Sequence, residues 1–461
     1  MKRSVLLLLV LGGWLAQPPA ARAQNPATDQ TNAPAPAAAP RPLALAEAVR
    51  LALASSKGIK SNEAAQHQTA ARVQQALNGV VPSIKGSSTF LRLSDNITPL
   101  SLPLPGAGEV ALNPQVLNQS FNSLQVEQLV WNGGKVRLGI ASARTEQAAT
   151  AAEADEYRLL AADNATSLWF GLYKLNASER ILRENIRLLQ DRRRELTSLE
   201  KQGLVLKIDG LKIDLAVSRL ESSMADIRSG QAISSFNLAL ATGLPTGTTF
   251  VLDEALSGPA GPPLAALLPL ADYQREALAG RAELKALSLR REAALIGQRI
   301  VKGNIMPTVS FAGTVDYNRP NMRVFPTQAE FKATSSVSAN LSWTLSSFYT
   351  NRAKMAESRF GLEKLTTDLD QLRDGIQIEV NASYRAYEQG LEKIRVAQNA
   401  IAQAQENFRV EQNRFKASTI TPADFLDANT QLIQARLDLT TAQANAELAR
   451  WKLLKSTGTL P

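Results

Sequence analysis

The chain has 461 residues, 44% of them hydrophobic, with 51 Lys and Arg against 42 Asp and Glu, no cysteine and one histidine. The lack of cysteine excludes thiol catalysis, disulfide stapling and a lipid-modified N-terminal cysteine, and a lone His67 excludes a His-rich metal site. The basic surplus is mild and is no nucleic-acid footprint.

At the N-terminus MKR precedes the apolar run VLLLLVLGGWLA, and Ala21-Arg22-Ala23 offers a small-x-small cleavage pattern. Residues 1–23 are therefore expected to be a signal peptide. Its removal deletes Lys2, Arg3 and Arg22 and lowers the net charge from +9 to +6. Residues 24–42 read as a flexible Pro/Ala-rich arm. Beyond the leader no run approaches the roughly 20 apolar residues of a membrane helix. Membrane β-strands need only about 9–11 alternating residues, so a β-barrel stays open.

The rest of the chain repeats itself. At an offset of 225 Glu47 meets Asp272, Leu53-Ala54 meets Leu278-Ala279, and Pro82 meets Pro307; at 215 Asp209 meets Asp424 and Thr242-Gly243 meets Thr457-Gly458. The first repeat, 43–256, predicts a helix over 44–78, strands over 81–95 and 119–131, a long helix over 133–201 and a last one over 208–242. A Gly/Pro-rich linker, 257–269, leads to the second repeat, 270–461. There the spacing predicts a helix over 271–303, strands over 305–318 and 334–347, a long helix over 350–416 and a last helix over 422–456. The Pro/Gly-rich loop at 96–118 lies between the first two strands and the loop at 318–331 between the second two, and both are expected to face outward.

Tyr387, Ile394, Ile401, Phe408 and Phe415 recur every seven residues, as do Leu369 and Ile376; the 11-residue step from Ile376 to Tyr387 is a stutter. A helix of that length needs equally long neighbours. Val309, Phe311, Gly313, Val315 and Tyr317 alternate with polar or small residues, and Val337, Ala339, Leu341, Trp343 and Leu345 do the same. One face suits lipid and the other water, although a soluble sheet packed on the helices would show the same period. Four strands are too few to close a barrel, and open edges do not survive in lipid, so a barrel would need several chains.

The duplicated unit, LVWNGGKVRLGIASAR (129–144) after a strand, and KASTITPADFLDANTQLIQARLDL (416–439) resemble the outer-membrane efflux proteins of TolC type across essentially the whole mature chain. The resemblance implies an α+β, mostly α membrane protein. In it three chains, four strands each, form a 12-stranded β-barrel continued by a coiled-coil helical tunnel. It implies the outer membrane of a Gram-negative bacterium, with outer-membrane lipid around the barrel and the helices in the periplasm. The implied partners are a periplasmic adaptor (membrane fusion) protein and an inner-membrane transporter of RND, ABC or MFS type. The implied function is an exit duct for efflux or type I secretion, gated by iris-like opening of the helix tips. No enzyme, cofactor or nucleic-acid role is implied. The rival is a periplasmic coiled-coil adaptor or scaffold without a pore.

In STITPADFLDANTQL (418–432), Thr421, Pro422 and Asp424 read as a capping box with Pro at the first helical position. Asp427 lies one turn deeper on roughly the same face. The resemblance implies that Asp424 and Asp427 face the lumen as a cation-selective constriction, with Asp209 at the matching tip of the first repeat. Where the efflux channel for which the family is named ties its gate with a tyrosine and an arginine, this chain has Phe415 and Ile420, which can make neither the hydroxyl bond nor the ion pair. A leakier resting channel is the consequence expected.

Overall fold

The computed structural model describes residues 41–96, 101–106, 108–111, 116–203, 205–252, 267–324, 327–417 and 419–459. The expected leader, nearly all of the arm and most of the linker lie outside them. Helices dominate, and among the described residues none is long and apolar enough to cross a membrane.

In chain order the elements are β1 (Arg41–Leu43), α1 (Leu45–Ser55), α2 (Lys57–Leu77), β2 (Ser83–Arg92), β3 (Ser101–Leu104), β4 (Gly108–Ala111), β5 (Asn118–Trp131), α3 (Lys135–Ala152), α4 (Ala154–Lys201) and α5 (Lys207–Thr242). Then follow β6 (Phe250–Leu252), α6 (Leu270–Gly280), α7 (Ala282–Gly303), β7 (Thr308–Asn318), β8 (Lys332–Ser342), α8 (Ser347–Lys416) and α9 (Pro422–Ser456). Four strands form one antiparallel sheet in the order β2-β5-β7-β8.

Three expected helices are interrupted. The first breaks at Ser56, whose Oγ accepts from the Ile59 N–H at 3.3 Å and so caps α2. Its counterpart breaks at Arg281. That buried guanidinium donates to Glu283 at 2.7 Å, to Glu379 of α8 at 2.9 Å and to the Ser456 carbonyl of α9 at 3.1 Å, joining three helices. The long helix of the first half breaks at Glu153, which pairs with Arg290 of α7 at 2.6 Å. Gly280 directly precedes the break at Arg281, whereas Ser56 and Glu153 have no adjacent Pro or Gly. Tertiary ion pairs accompany the breaks at Glu153 and Arg281, and a local cap the one at Ser56.

The expected arm also ends early, because Arg41–Leu43 pair in parallel with Phe250–Leu252. The small sheet sits on an aromatic trio of α4: Trp169 Nε1 donates to the Leu43 carbonyl at 2.9 Å, stacks on Tyr173 and meets Phe170 edge-on. Inside the 96–118 loop a short hairpin forms from β3 and β4.

The 70 residues of α8 span about 105 Å at 1.5 Å each. Their seam runs through Tyr387, Gly390, Ile394, Ala397, Ile401, Ala404, Phe408 and Phe415, all buried or half-buried. The stutter is absorbed by Val380, fully buried four residues after Ile376. Helix α9 answers with its own strict heptad, Ala428, Leu432, Ala435, Leu439, Ala442, Ala446, Ala449 and Leu453. Small residues let the two backbones approach closely, and a Cβ built on Gly390 would lie 3.0 Å from the Ala446 Cα.

That contact separates two glycines of one helix. Gly390→Val should overpack the seam and destabilise by about 1–3 kcal/mol, whereas Gly361→Ala, with nothing within 4 Å of its new Cβ, should gain up to about 1 kcal/mol of helix propensity. Thermal unfolding of the purified protein in detergent checks both; equal shifts would contradict the close seam.

Candidate functional site

Two regions concentrate chemistry: the sheet at one end of the molecule and the helix tips at the other. Among the described residues no α-helix makes an extended contact with the sheet, whose strands lead into the helices at their ends. The soluble-sheet alternative expects one face buried on helices, and no such packing is found among the described residues. Register puts Ile84, Val126, Gly313 and Val337 in one row across the four strands, with Leu124 and Val315 in the next. Most of this face is exposed, Val337 by 88% and Leu341 by 71%. The opposite face carries Lys85, Gln125, Thr314 and Ser336 in one row and Ser87, Ser123, Asp316 and Thr334 in another. Ser87 and Ser123 share a hydrogen bond there at 2.8 Å.

Aromatic side chains mark both rims of the apolar face. Phe90, Tyr317 and Phe331 lie at the distal rim, the last two stacked at 5.1 Å; Trp131, Trp343, Phe348 and Tyr349 lie at the helix-proximal rim. All are substantially exposed. Strand β8 was expected to run to residue 347 but stops at Ser342, because Ser347 folds back onto Thr344, its N–H donating at 3.0 Å and its Oγ at 2.6 Å. Trp343 and Leu345 consequently stand just beyond the strand. The rims went unread in the sequence, although the aromatic spacing at strand ends was there to find.

At the other end, Thr421 and Asp424 form the complete capping box. The Thr421 hydroxyl accepts from the Asp424 N–H at 3.3 Å, and Asp424 Oδ2 accepts from the Thr421 N–H at 3.1 Å and from its hydroxyl at 2.8 Å. Pro422 occupies the first helical position and is buried. The hydroxyl bond first, the backbone bond second, and the charges of Arg414 and Lys212 hold Asp424 below the usual carboxylate range. Lys212 belongs to α5, so the tips of the two hairpins face each other. Asp427 is exposed and accepts from Gln431 Nε2, at 2.8 Å one turn on.

Asp209 holds the same third position in α5, but the residue capping that helix, Leu206, has no side chain that could bond to it. It pairs instead with Lys212 at 3.6 Å. Among the described residues Lys207 and Lys416 have no acidic partner.

Phe415 and Ile420 come together in one apolar cluster. Phe415 stacks on the fully buried Phe425 at 4.9 Å, Phe408 approaches the same ring at 5.7 Å, and Ile420 packs beside them. Leu189 and Leu196 of α4 and Ile213 of α5 complete the cluster. The hairpin tips are thus joined by hydrophobic contact within one chain.

Two polar ties escaped the sequence reading. Arg193 of α4 donates through Nε to both oxygens of Asp214 at 3.0 Å and through Nη1 to Thr197 at 2.6 Å, its guanidinium lying against Gly210. Further from the tip, the buried amides of Asn185 and Asn429 bond reciprocally between α4 and α9 at 2.9 and 3.2 Å. Neither pairing follows a local spacing, so only tertiary structure brings them together.

Residues 274–459 match the sequence profile of a family described as outer membrane efflux protein. No curated protein sequence matches significantly. Over 90% of its length the chain superposes on the outer-membrane channel OprN, with a TM-score of 0.74 at 16% identity and 89% of that chain covered. It superposes equally far on the outer membrane protein VceC from Vibrio cholerae, with a TM-score of 0.71 at 17% identity and 96% of that chain covered. The open state of the Neisseria gonorrhoeae MtrE outer membrane channel gives 0.66 at 15% identity, with 88% covered. The fold is TolC-like, and the second half carries the sequence signature of these channels.

The capping box makes a signed prediction. Thr421→Val should cost about 1 kcal/mol, whereas Asp427→Asn should leave thermal stability nearly unchanged. Because the folded Asp424 has a lowered pKa, its contribution is full above the ordinary aspartate value and is lost as pH falls through the lowered one. The destabilisation of Asp424→Ala should therefore shrink on acidification below the ordinary value of 3.8. Unfolding curves across pH 2–7 provide the check; a pH-independent difference would remove the carboxylate from the cap.

Proposed function

We propose that three copies of this chain form an outer-membrane exit duct of a tripartite efflux pump or type I secretion system. The carrying observation is the open four-stranded sheet, whose outer strands β2 and β8 have no neighbour on their outer sides among the described residues while its exposed face is apolar between aromatic rims. In hydrocarbon each unpaired backbone group costs several kcal/mol. Pairing β8 of one copy with β2 of the next, three times over, gives 12 strands and abolishes both edges. An 11-residue strand rising about 3.4 Å per residue and tilted by about 40° covers roughly 28 Å, close to a bilayer core.

In this assembly the leader directs export, and the helices of three copies continue the barrel as a tunnel into the periplasm. An adaptor protein and an inner-membrane transporter of RND, ABC or MFS type complete the pathway for small molecules or polypeptides. A pore-less adaptor would carry one helical hairpin beside compact β domains; two helix–strand–strand–helix halves sharing one sheet favour the duct. At the tips, Asp424 and Asp427 of each copy form carboxylate rings that favour cations, with Asp209 nearby. Asp424 serves twice, as cap and as ring. The aromatic stack of Phe415 on Phe425, with Ile420, takes the place of a polar latch.

Assembly is tested first. Unheated gel electrophoresis of outer-membrane fractions should show a heat-labile trimer, and single cysteines introduced into β2 and β8 of this cysteine-free chain should cross-link between copies. A soluble periplasmic monomer would sink the reading.

The rings and latch are tested in planar bilayers. Asp424→Asn with Asp427→Asn should weaken cation preference, and Phe415→Ala should raise resting conductance. Unchanged selectivity would return both aspartates to local structure, and unchanged conductance would remove the latch.

A further inference from the structure

We infer that each chain carries a binding site for the phosphate-bearing headgroup of a membrane lipid, in a groove just below the helix-proximal aromatic rim. The inference rests on the membrane placement proposed above and adds a ligand to it. The groove, with a volume of about 470 Å³, lies between the end of α7 and the start of α8. Its walls combine three cations, Lys302, Arg352 and Arg359, with the apolar Ile305, Phe348 and Met355.

The groove opens on the lipid side. Trp343 belongs to the exposed apolar face, its Nε1 donates to the Ile305 carbonyl at 3.0 Å, and its ring meets Phe348 edge-on at 6.0 Å. The strand face and the groove are therefore one continuous surface, apolar above and basic below. Arg352, Met355 and Arg359 fall at i, i+3 and i+7 on α8, a single stripe, and Lys302 faces them from the last turn of α7.

Charge selects the occupant. Most cations along α8 are satisfied within their own helix, as in Glu392 with Arg395, Asp370 with Arg373 and Glu411 with Arg414. Among the described residues Lys302 and Arg352 have no acidic partner, and Arg359 only lies over the Phe360 ring at 4.7 Å. Three uncompensated cations beside an acyl-chain surface match a lipid phosphate, with guanidinium forks for its oxygens and apolar walls for the first methylenes. Basic side chains at a membrane surface each contribute about 1 kcal/mol toward anionic lipid, or about fivefold.

The test uses the full chain reconstituted into phosphatidylcholine vesicles that carry a trace of spin-labelled phosphatidylglycerol or spin-labelled phosphatidylcholine. Electron spin resonance reads the motionally restricted fraction of each. The wild type should favour phosphatidylglycerol by at least about fivefold; Lys302→Gln with Arg352→Gln and Arg359→Gln should lose that preference. The charge-conserving pair Arg352→Lys and Arg359→Lys should retain most of it, which excludes a simple loss of fold. No preference in the wild type, or a preference surviving in the triple variant, overturns the site. Abolition by millimolar inorganic phosphate would mean a free-anion site and overturns the lipid assignment. Vesicle flotation separates the two levels: a chain that fails to float sinks the membrane placement itself, whereas a floating chain without lipid preference sinks only this inference.

Discussion

The seven-residue seam between α8 and α9 is the constraint on which the rest of the structure depends. Large residues on α8, Tyr387 through Phe415, alternate with Gly390, Ala397 and Ala404, and α9 meets them with a row rich in alanine. Small side chains bring backbones close, and close backbones tolerate no drift of register over many turns. A pair of helices held this way is a stiff rod. It fixes how far the aspartate-bearing tip stands from the sheet, and it forces the first half of the chain to supply a rod of matching length, which α3, α4 and α5 do.

At the sheet the governing constraint is backbone accounting. Four strands satisfy one another internally and leave two rows of donors and acceptors, so the fold of one chain is a third of a solution in the proposed duct. The aromatic rims and the basic groove beneath them belong to the same logic, since a surface that enters lipid must also end in it. In the proposed duct, apolar side chains set the depth of the slab, aromatics its borders, and cations the headgroup layer.

Much of this was legible in the sequence because two simple periods carry it. Alternation by two exposed the strands at Thr308–Asn318 and Lys332–Ser342, and the repeat of seven exposed the buried edge of α8. The second heptad, in α9, was harder to see because alanine carries little hydrophobic signal. The breaks at Ser56, Glu153 and Arg281 were invisible for a different reason. At Glu153 and Arg281 the partners lie far off in sequence, up to 175 residues away where Arg281 reaches the Ser456 carbonyl; at Ser56 a single hydroxyl caps Ile59 inside a run that otherwise favours helix. At the tip, the capping box was readable because it spans four residues. The meaning of Phe415 and Ile420 was not, since the loss of two polar groups says nothing about the ring of Phe425 waiting ten positions later.

The reciprocal amides of Asn185 and Asn429 give the two hairpins a fulcrum. Sliding α9 along α4 by one residue, about 1.5 Å, would strand both buried side-chain amides, each donor or acceptor left unpaired costing about 1–3 kcal/mol. Swinging the helices about that point breaks nothing there. In the proposed gate, α9 between this pin and the aromatic stack at the far end is the arm of a lever, for which parting the rings of Phe415 and Phe425 means rotation rather than slippage.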